Sequence, residues 1–217
     1  LISSANRLTA YTLGVRLVLW LGPYVPLPAP KWLSDALISV EVHRNIDRGS
    51  GFTMQFRMEK TMLLDYDLLF TSKLSADSRV VLAIQVGFMP EQLINGVITH
   101  HSVSVSPTPG ESVITVTGVD VEGTMDRVRK TQQWPVMPSF MIVKTVLMPY
   151  VRYGLNPTSP FVMPTTDNQN PLVSCVWQHS ETDLQFIRRL AKKNNYVFYT
   201  APSKLMLGSE AYFQPET

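Results

Sequence analysis

Hydrophobic and polar residues alternate along several segments of the first half of the chain, with the period of two that is typical of β-strands. The clearest alternation has an apolar set made of Phe52, Met54, Phe56 and Met58. The polar residues between them, which are predicted to point away from the core, are Thr53, Gln55 and Arg57. A second apolar set is Ile38, Val40 and Val42. Because a turn at residues 45–51 separates the two runs, the pattern predicts an antiparallel hairpin with one buried face.

Other segments of the first half also have strand character. They are residues 14–21, 80–86, 94–105 and 112–119, with a turn at residues 107–110 between the last two. A proline-rich connection at residues 23–30 precedes a short helical turn at residues 31–37. Strands joined mostly in sequence order predict a closed or nearly closed antiparallel barrel, because closure removes aggregation-prone sheet edges.

The pattern changes after the last of these strands. A short helix is predicted at residues 121–130, and residues 131–138 then bring two prolines and two glutamines. We therefore expect a domain boundary there. The predicted fold class is mainly β, with an antiparallel β-barrel domain in residues 1–130 and an α+β subdomain in residues 131–217.

The α+β subdomain is predicted to begin with a helical segment at residues 139–153, which Pro149 should kink or end. Residues 156–171 contain four prolines and are expected to form a surface loop. Residues 172–177 are predicted to form a strand that leads into the next helix.

That helix is predicted at residues 181–193, within the stretch QHSETDLQFIRRLAKKNNYVFYT. Ser180 would be its N-cap, with Asp183 completing a near capping box, and Asn194 with Asn195 would end it. Its apolar face is Leu184, Phe186, Ile187, Leu190 and Ala191. The aromatic segment at residues 196–199, a turn at residues 201–203 and a return strand at residues 204–208 would complete a helix-plus-hairpin unit.

The opposite face of this helix suggests nucleic-acid binding through four basic residues. They are Arg188, Arg189, Lys192 and Lys193. The chain as a whole does not extend this patch, because 19 Lys and Arg against 17 Asp and Glu give a net charge of only +2. The apolar residues 13–21 are interrupted by Arg16 and are too few to span a membrane. We therefore predict that no nucleic-acid contact is required and that the chain does not insert into a membrane.

Several residues are candidates for catalysis or metal binding, but each has a simpler interpretation. Glu181 and Asp183 could act as an acid pair, although acids are also typical of the first turn of a helix. His100 and His101 are adjacent on a strand, so they point to opposite faces and cannot easily share a metal ion.

The single cysteine raises the question of a thiol nucleophile. Cys175 with His179 would suit this role, although a cysteine among Val173, Val176 and Trp177 is more simply a buried core residue. One cysteine also excludes an internal disulfide framework and a cysteine-based zinc site. We predict no catalytic residue, no metal site and no cofactor.

Two segments together resemble a known family. The first is GVITHHSVSVSPTPGESVITVTGVD, residues 96–120, followed by the short segment EGTMDRVRK. The second is QHSETDLQFIRRLAKKNNYVFY, residues 178–199. In this order and spacing they resemble the late control protein D family: the hub proteins of phage tails, the VgrG spikes of type VI secretion and the hubs of extracellular contractile injection systems. Matching features cover residues 37–207.

This resemblance implies a structural baseplate hub rather than an enzyme. It implies a barrel like that of a tail-tube subunit, a homotrimer around the tail axis, and contacts with the tail tube protein, the central spike protein and other baseplate proteins. The location would be a virion or an injection particle assembled in the cytoplasm. The family's second tube-like barrel, after the helix-plus-hairpin unit, is not present in these 217 residues.

The resemblance also predicts which segments lie at the interfaces, and it leaves open a second function. The hairpin of residues 94–105 and 112–119, with the turn at residues 44–51, is expected near subunit boundaries or the tube junction. The alternative is a cell-wall hydrolase component associated with a tail tip, because some members of the family carry such domains.

Overall fold

The computed structural model describes residues 15–45, 49–58, 74–86, 89–108, 111–165, 175–203 and 207–216, without the side chains of Val15 and Met89. The chain is mostly β, with antiparallel sheets and a helix-plus-hairpin part, so the predicted fold class is confirmed. Among the described residues, no helix is long and apolar enough to cross a lipid bilayer.

The largest sheet has seven strands in the order β2-β1-β5-β6-β7-β4-β3, and every neighbouring pair is antiparallel. The strands are β1 (Val15–Gly22), β2 (Leu27–Pro28), β3 (Leu37–His43), β4 (Gly51–Met58), β5 (Arg79–Val86), β6 (Met89–Ser104) and β7 (Ser112–Asp120). Leu19 and Leu21 of β1 share one core with Phe52 and Phe56 of β4, although three strands lie between them in the sheet. The sheet is therefore strongly curled around that core. Among the described strands, its edges β2 and β3 do not pair with each other.

The alternation of β4 is confirmed. Phe52, Met54, Phe56 and Met58 are buried, whereas Arg57 is exposed. The prediction for β3 is wrong at Ile38, which is 48% exposed. Its pairing with β4 shifts between Leu37 and Ser39, and this irregularity removes Ile38 from the buried face.

Strand β6 is longer than predicted because different parts of it pair with two different strands. Residues 89–97 pair with β5, and residues 96–104 pair with β7. Beyond the core, residues 100–105 are all exposed. Opposite them on β7, Ile114 and Val116 are buried in the core, so the exposure is confined to the β6 side of the hairpin.

The helix predicted at residues 121–130 is shorter in the structure. Helix α2 covers Val121–Met125, after helix α1 (Lys31–Ala36) in the first part of the chain. Residues 129 and 130 instead belong to strand β8 (Arg129–Trp134), which pairs with β10 (Val176–Thr182). A distant strand thus satisfies backbone groups that the local pattern had assigned to a helix. The boundary between residues 130 and 131 stays a prediction.

A second core lies under the helices of the C-terminal half. Its elements are α3 (Ser139–Leu147), a 3-10 helix (Met148–Tyr153), β9 (Leu155–Asn156), α4 (Asp183–Lys193), β11 (Tyr196–Pro202) and β12 (Ser209–Pro215). The change of helix type at Met148 confirms the effect predicted for Pro149. Residues 157–165 form a loop as predicted, but the loop is not wholly on the surface, because Ser159 and Val162 are buried. The remainder of that predicted loop lies outside the described residues.

Both ends of the helix-plus-hairpin unit differ from the prediction. The N-cap of α4 is Thr182, and its capping box is formed with Gln185. Ser180 instead lies within β10 with a positive φ of 49°. The return strand is β12, which begins at Ser209 rather than at residue 204, and residues 204–206 lie outside the described part. The predicted apolar face of α4 is confirmed as buried.

Candidate interaction site at the junction of the sheet and the helix-plus-hairpin unit

A cleft of about 1130 Å³ separates β6 from α4 and β11. One wall includes Leu93 and Asn95 of β6 and Arg44 and Ser50 of the β3–β4 turn. The other wall is formed by residues 195–202 and part of α4. The cleft therefore lies where the large sheet meets the helix-plus-hairpin unit.

A buried carboxylate connects the elements around this cleft. Glu122 of α2 accepts a hydrogen bond from Arg188 Nη2 of α4 at 2.5 Å, and another from the Thr200 amide of β11 at 3.3 Å. Because α2 directly follows β7, this single side chain joins the end of the large sheet to both α4 and β11.

Asp120 is a second carboxylate at the cleft and has a capping role. Its Oδ1 accepts a hydrogen bond from the Gly123 amide at 2.7 Å, which begins α2. Burial raises the pKa of Asp120 even though hydrogen bonds from Gly123 and Ser50 act against the shift. Burial likewise raises the pKa of Glu122, and it outweighs the attraction of Arg188.

These raised pKa values give a testable pH dependence. In the window between the ordinary carboxyl pKa and the raised one, the folded chain holds protons that the unfolded chain has released, so stability falls as pH rises through it. Glu122→Gln removes one titrating group, while Asp120, Arg188 and the Thr200 amide still face that position. We expect the stability of the wild-type chain relative to Glu122→Gln to fall as pH rises through this window, measured by urea unfolding at a series of pH values. A difference that is constant with pH would contradict the shift.

A second group of hydrogen bonds connects β5 and β6 of the large sheet to the C-terminal half of the chain. Arg79 Nε donates to Asn95 Oδ1 at 2.8 Å, and Asn95 Nδ2 donates to the Tyr153 carbonyl at 2.9 Å. Gln92 of β6 exchanges two hydrogen bonds with the backbone of Gly208. Side chains of the large sheet thus satisfy backbone groups of Tyr153 and Gly208, in the C-terminal half of the chain. These hydrogen bonds hold the large sheet against that half.

The two members of the candidate acid pair, Glu181 and Asp183, contact different groups. Asp183 is buried and accepts hydrogen bonds from Tyr150 Oη at 2.7 Å and Gln178 Nε2 at 3.0 Å, and it forms an ion pair with Lys130. Burial raises the pKa of Tyr150, and the hydrogen bond to Asp183 adds to the shift. Glu181 instead pairs with Arg189 through both of its carboxylate oxygens. The two acids therefore have separate structural partners.

The basic face of α4 is partly used for internal contacts. Arg188 is bonded to Glu122, and Arg189 donates to Glu181 and to the Trp177 carbonyl. Lys192 and Lys193 are exposed at the C-terminal end of the helix, where a cation is favourable for the helix dipole. The four residues therefore do not form one patch of free cations.

The histidine and cysteine candidates lie on the surface. His100 and His101 are both exposed on β6. Cys175 is also exposed, so the prediction that it is a buried core residue is wrong. It precedes β10, and the strand pairing starts only at Val176. His179 is exposed within β10. Among the described residues, no group of three or more His, Cys, Asp or Glu side chains is placed to hold a metal ion.

Sequence reasoning missed the residues that join the two units. Arg79, Asn95, Asp120 and Glu122 carry no recognisable motif, and the partners of Arg79 and Glu122 lie up to 128 residues away along the chain. The one available signal was the position of Arg79, a charge next to the continuous apolar run of β5. A charge in such a strand indicates a specific buried partner.

Neither a protein family nor a curated protein matches the sequence. Solved structures do match the fold. A 43 kDa tail protein of prophage MuSo2 from Shewanella oneidensis matches 92% of this chain with a TM-score of 0.58 and 14% identity. A chain of the Francisella PdpA-VgrG complex matches all of it, with a TM-score of 0.58 and 10% identity. An E. coli component of the type VI secretion system matches 92% with a TM-score of 0.50 and 13% identity.

The matched region is only part of each of those proteins. The chain spans 53% of the Shewanella tail protein, 46% of the E. coli protein and 32% of the Francisella chain. At these identities the likeness shows a common fold. The chain therefore shares the fold of these proteins, and the late control protein D assignment stays a prediction.

Proposed function

We propose that this chain is a non-enzymatic structural component of a phage tail or contractile injection system, and that it acts as a baseplate hub between a trimeric central spike and a hexameric tail tube. The observation that carries this proposal is the likeness in fold, over 92% or more of the chain, to a phage tail protein and to a chain of a VgrG complex. The setting would be a virion or an injection particle that is assembled in the cytoplasm.

The internal contacts of the junction support a structural role. Hydrogen bonds connect Glu122, Arg79 and Asn95 to the C-terminal half of the chain, at Thr200, Leu207 and Tyr153 respectively. Such contacts hold two packed units in one relative arrangement, which a hub needs in order to present different surfaces to tube and spike. Fold alone does not define function, so the partners have to be tested directly.

The end of the β6–β7 hairpin supports the proposed homotrimer. In the described part of the chain, β6 pairs with β7 over residues 96–104 and with β5 over residues 89–97, so the pairing of residues 100–104 that the structure describes is with β7. Val103 and Val105 are exposed there, Val105 to 76%. An exposed strand edge is a template for pairing with another chain, and a ring of subunits would cover it together with these two valines.

The alternative, a cell-wall hydrolase component, has one observation in its favour. Asp120 and Glu122 both line the large cleft and have raised pKa values, a combination found in glycoside hydrolases. Both carboxylates are already bonded to protein groups, Asp120 to the start of α2 and Glu122 to Arg188. This favours a structural role for the pair.

Co-purification separates the two functions. A tagged chain expressed with the neighbouring genes of its own tail or injection cluster should recover tube and spike proteins, and the isolated chain should not degrade peptidoglycan. Recovery of neither protein would contradict the hub. Peptidoglycan degradation that Glu122→Gln abolishes would establish the hydrolase instead.

A further inference from the structure

A second, shallower pocket of about 590 Å³ lies beside Arg79. Its walls come from the β1–β2 connection, from the 3-10 helix and from Leu207 before β12. The residues lining it are Tyr24, Val25, Pro26, Arg79, Val151, Arg152 and Leu207. The pocket therefore combines apolar walls with two arginines.

The guanidinium of Arg79 is buried among neutral partners in the described part of the chain. The residue is 5% exposed, and its hydrogen-bond acceptors are Asn95 Oδ1, the Leu207 carbonyl at 2.6 Å and the Tyr24 carbonyl at 3.4 Å. All three are neutral, and the described part of the chain supplies no ion pair to Arg79. Burial lowers the pKa of Arg79 to about 10, so it stays charged at neutral pH. A buried charge of this kind is costly unless an opposite charge or a full set of hydrogen bonds compensates it.

The position of this guanidinium is fixed by the backbone. A Cβ atom at Gly154 would lie 2.0 Å from Arg79 Nη2, so only glycine leaves room for the side chain. Gly154 also has a φ of 79°, which glycine adopts without strain. Because the bond from Nη1 to the Tyr24 carbonyl is long, that nitrogen retains donor capacity toward the pocket.

The rim of the pocket is apolar and exposed. Val25 is 71% exposed, and Tyr24, Val151 and Leu207 are also exposed. Met148 extends the surface, since residues three apart lie above one another on a 3-10 helix and Val151 is three residues further on. Contiguous apolar surface around a polar centre is typical of a protein-binding site.

We propose that this pocket binds a carboxylate side chain of a partner protein, presented between apolar residues of the partner's surface. The planar guanidinium of Arg79 offers donors to the carboxylate at the floor, and Arg152 adds a second cation at the rim. The apolar rim extends beyond the reach of a small free anion, which favours a protein ligand. This interaction does not depend on the hub function and can be tested with the chain alone.

The test uses two acetylated and amidated tripeptides, Leu-Glu-Leu and Leu-Gln-Leu, titrated while methyl and arginine Nε signals are followed by NMR. The glutamate peptide should shift the methyl signals of Val25, Val151 and Leu207 and the Arg79 Nε signal. The glutamine peptide should bind at least about tenfold more weakly, because a charge-assisted hydrogen bond contributes roughly 1.5 to 3 kcal/mol. Equal binding of the two peptides, or no shift at these residues, would overturn the proposal.

Variants on the surface keep the test independent of folding. Arg152→Gln should weaken binding of the glutamate peptide several-fold, whereas Arg57→Gln, an exposed arginine on β4, should leave it unchanged. The same affinity in both variants would refute the role of Arg152. Free acetate that binds as tightly as the peptide would assign the site to small carboxylates rather than to a partner protein.

Discussion

Leu190→Ala should lower the free energy of unfolding by about 2 to 5 kcal/mol. Leu190 is fully buried on α4 and belongs to the core that α4 shares with α3, β11 and β12. Truncation removes buried methyl groups and leaves a cavity that a packed core fills only in part. Urea unfolding followed by circular dichroism measures the loss as a lower midpoint.

Lys192→Ala is the matched control on the same helix, because it also introduces alanine and its side chain is exposed. Its effect should stay within about 0.5 kcal/mol. Equal destabilisation by the two substitutions would show that the helix does not pack through the face assigned to it.

Asp183→Ala should cost about 3 kcal/mol although it removes no large apolar group. Asp183 is 2% exposed and accepts from Tyr150 and Gln178 while it pairs with Lys130. The substitution leaves the Tyr150 hydroxyl and one N–H of Gln178 without the acceptor that Asp183 provides, although Gln178 Nε2 still donates to the Glu181 carbonyl. The loss lies at the low end for a broken buried pair, because the Lys130 side chain is 40% exposed and regains water.

Glu181→Ala, two residues earlier, is the control for this charge. Its carboxylate pairs with the exposed Arg189, so the change should cost about 1 kcal/mol or less in the same unfolding experiment. If Glu181→Ala were as damaging as Asp183→Ala, the buried hydrogen bonds of Asp183 would not be the cause of its effect.

Alternation predicted the strands well where one face is covered and the other is not. In β4, Phe52, Met54 and Phe56 are buried and Arg57 is exposed, as the period of two requires. In β5 the burial does not alternate, since Val81 and Ala83 are buried as well as Val80 and Leu82. A strand covered on both faces has no alternation to read, and the second covering layer is set by tertiary packing.

Local signals were less reliable at the ends of elements. Ser180 and Thr182 both suit an N-cap, and the choice between them depends on β10, which continues to Thr182 by pairing with β8. The same pairing ends the helix that had been predicted to reach residue 130. Strand partners separated by about fifty residues leave no mark in a short window of sequence.

The partners at the two junction sites could not be predicted from the sequence for a related reason. Arg79 and Leu207 are 128 residues apart, and Glu122 and Thr200 are 78 apart. Each of these charged residues is compatible with an ordinary surface position when it is considered alone. Only the fold shows that Arg79 is buried against Gly154 and that Glu122 links three elements.

The homotrimeric hub is the central claim, and the mass of the assembled protein tests it most directly. Light scattering on the hub, at concentrations where dissociation is excluded, should give three times the 24.4 kDa of the 217-residue chain. The same measurement is then repeated with the tube and spike proteins added. A ring of this kind has to bury roughly 2,000 Å² or more at its interfaces to be stable, which the β6–β7 hairpin would help to supply. A stable monomer that does not assemble when both partners are added would contradict the account.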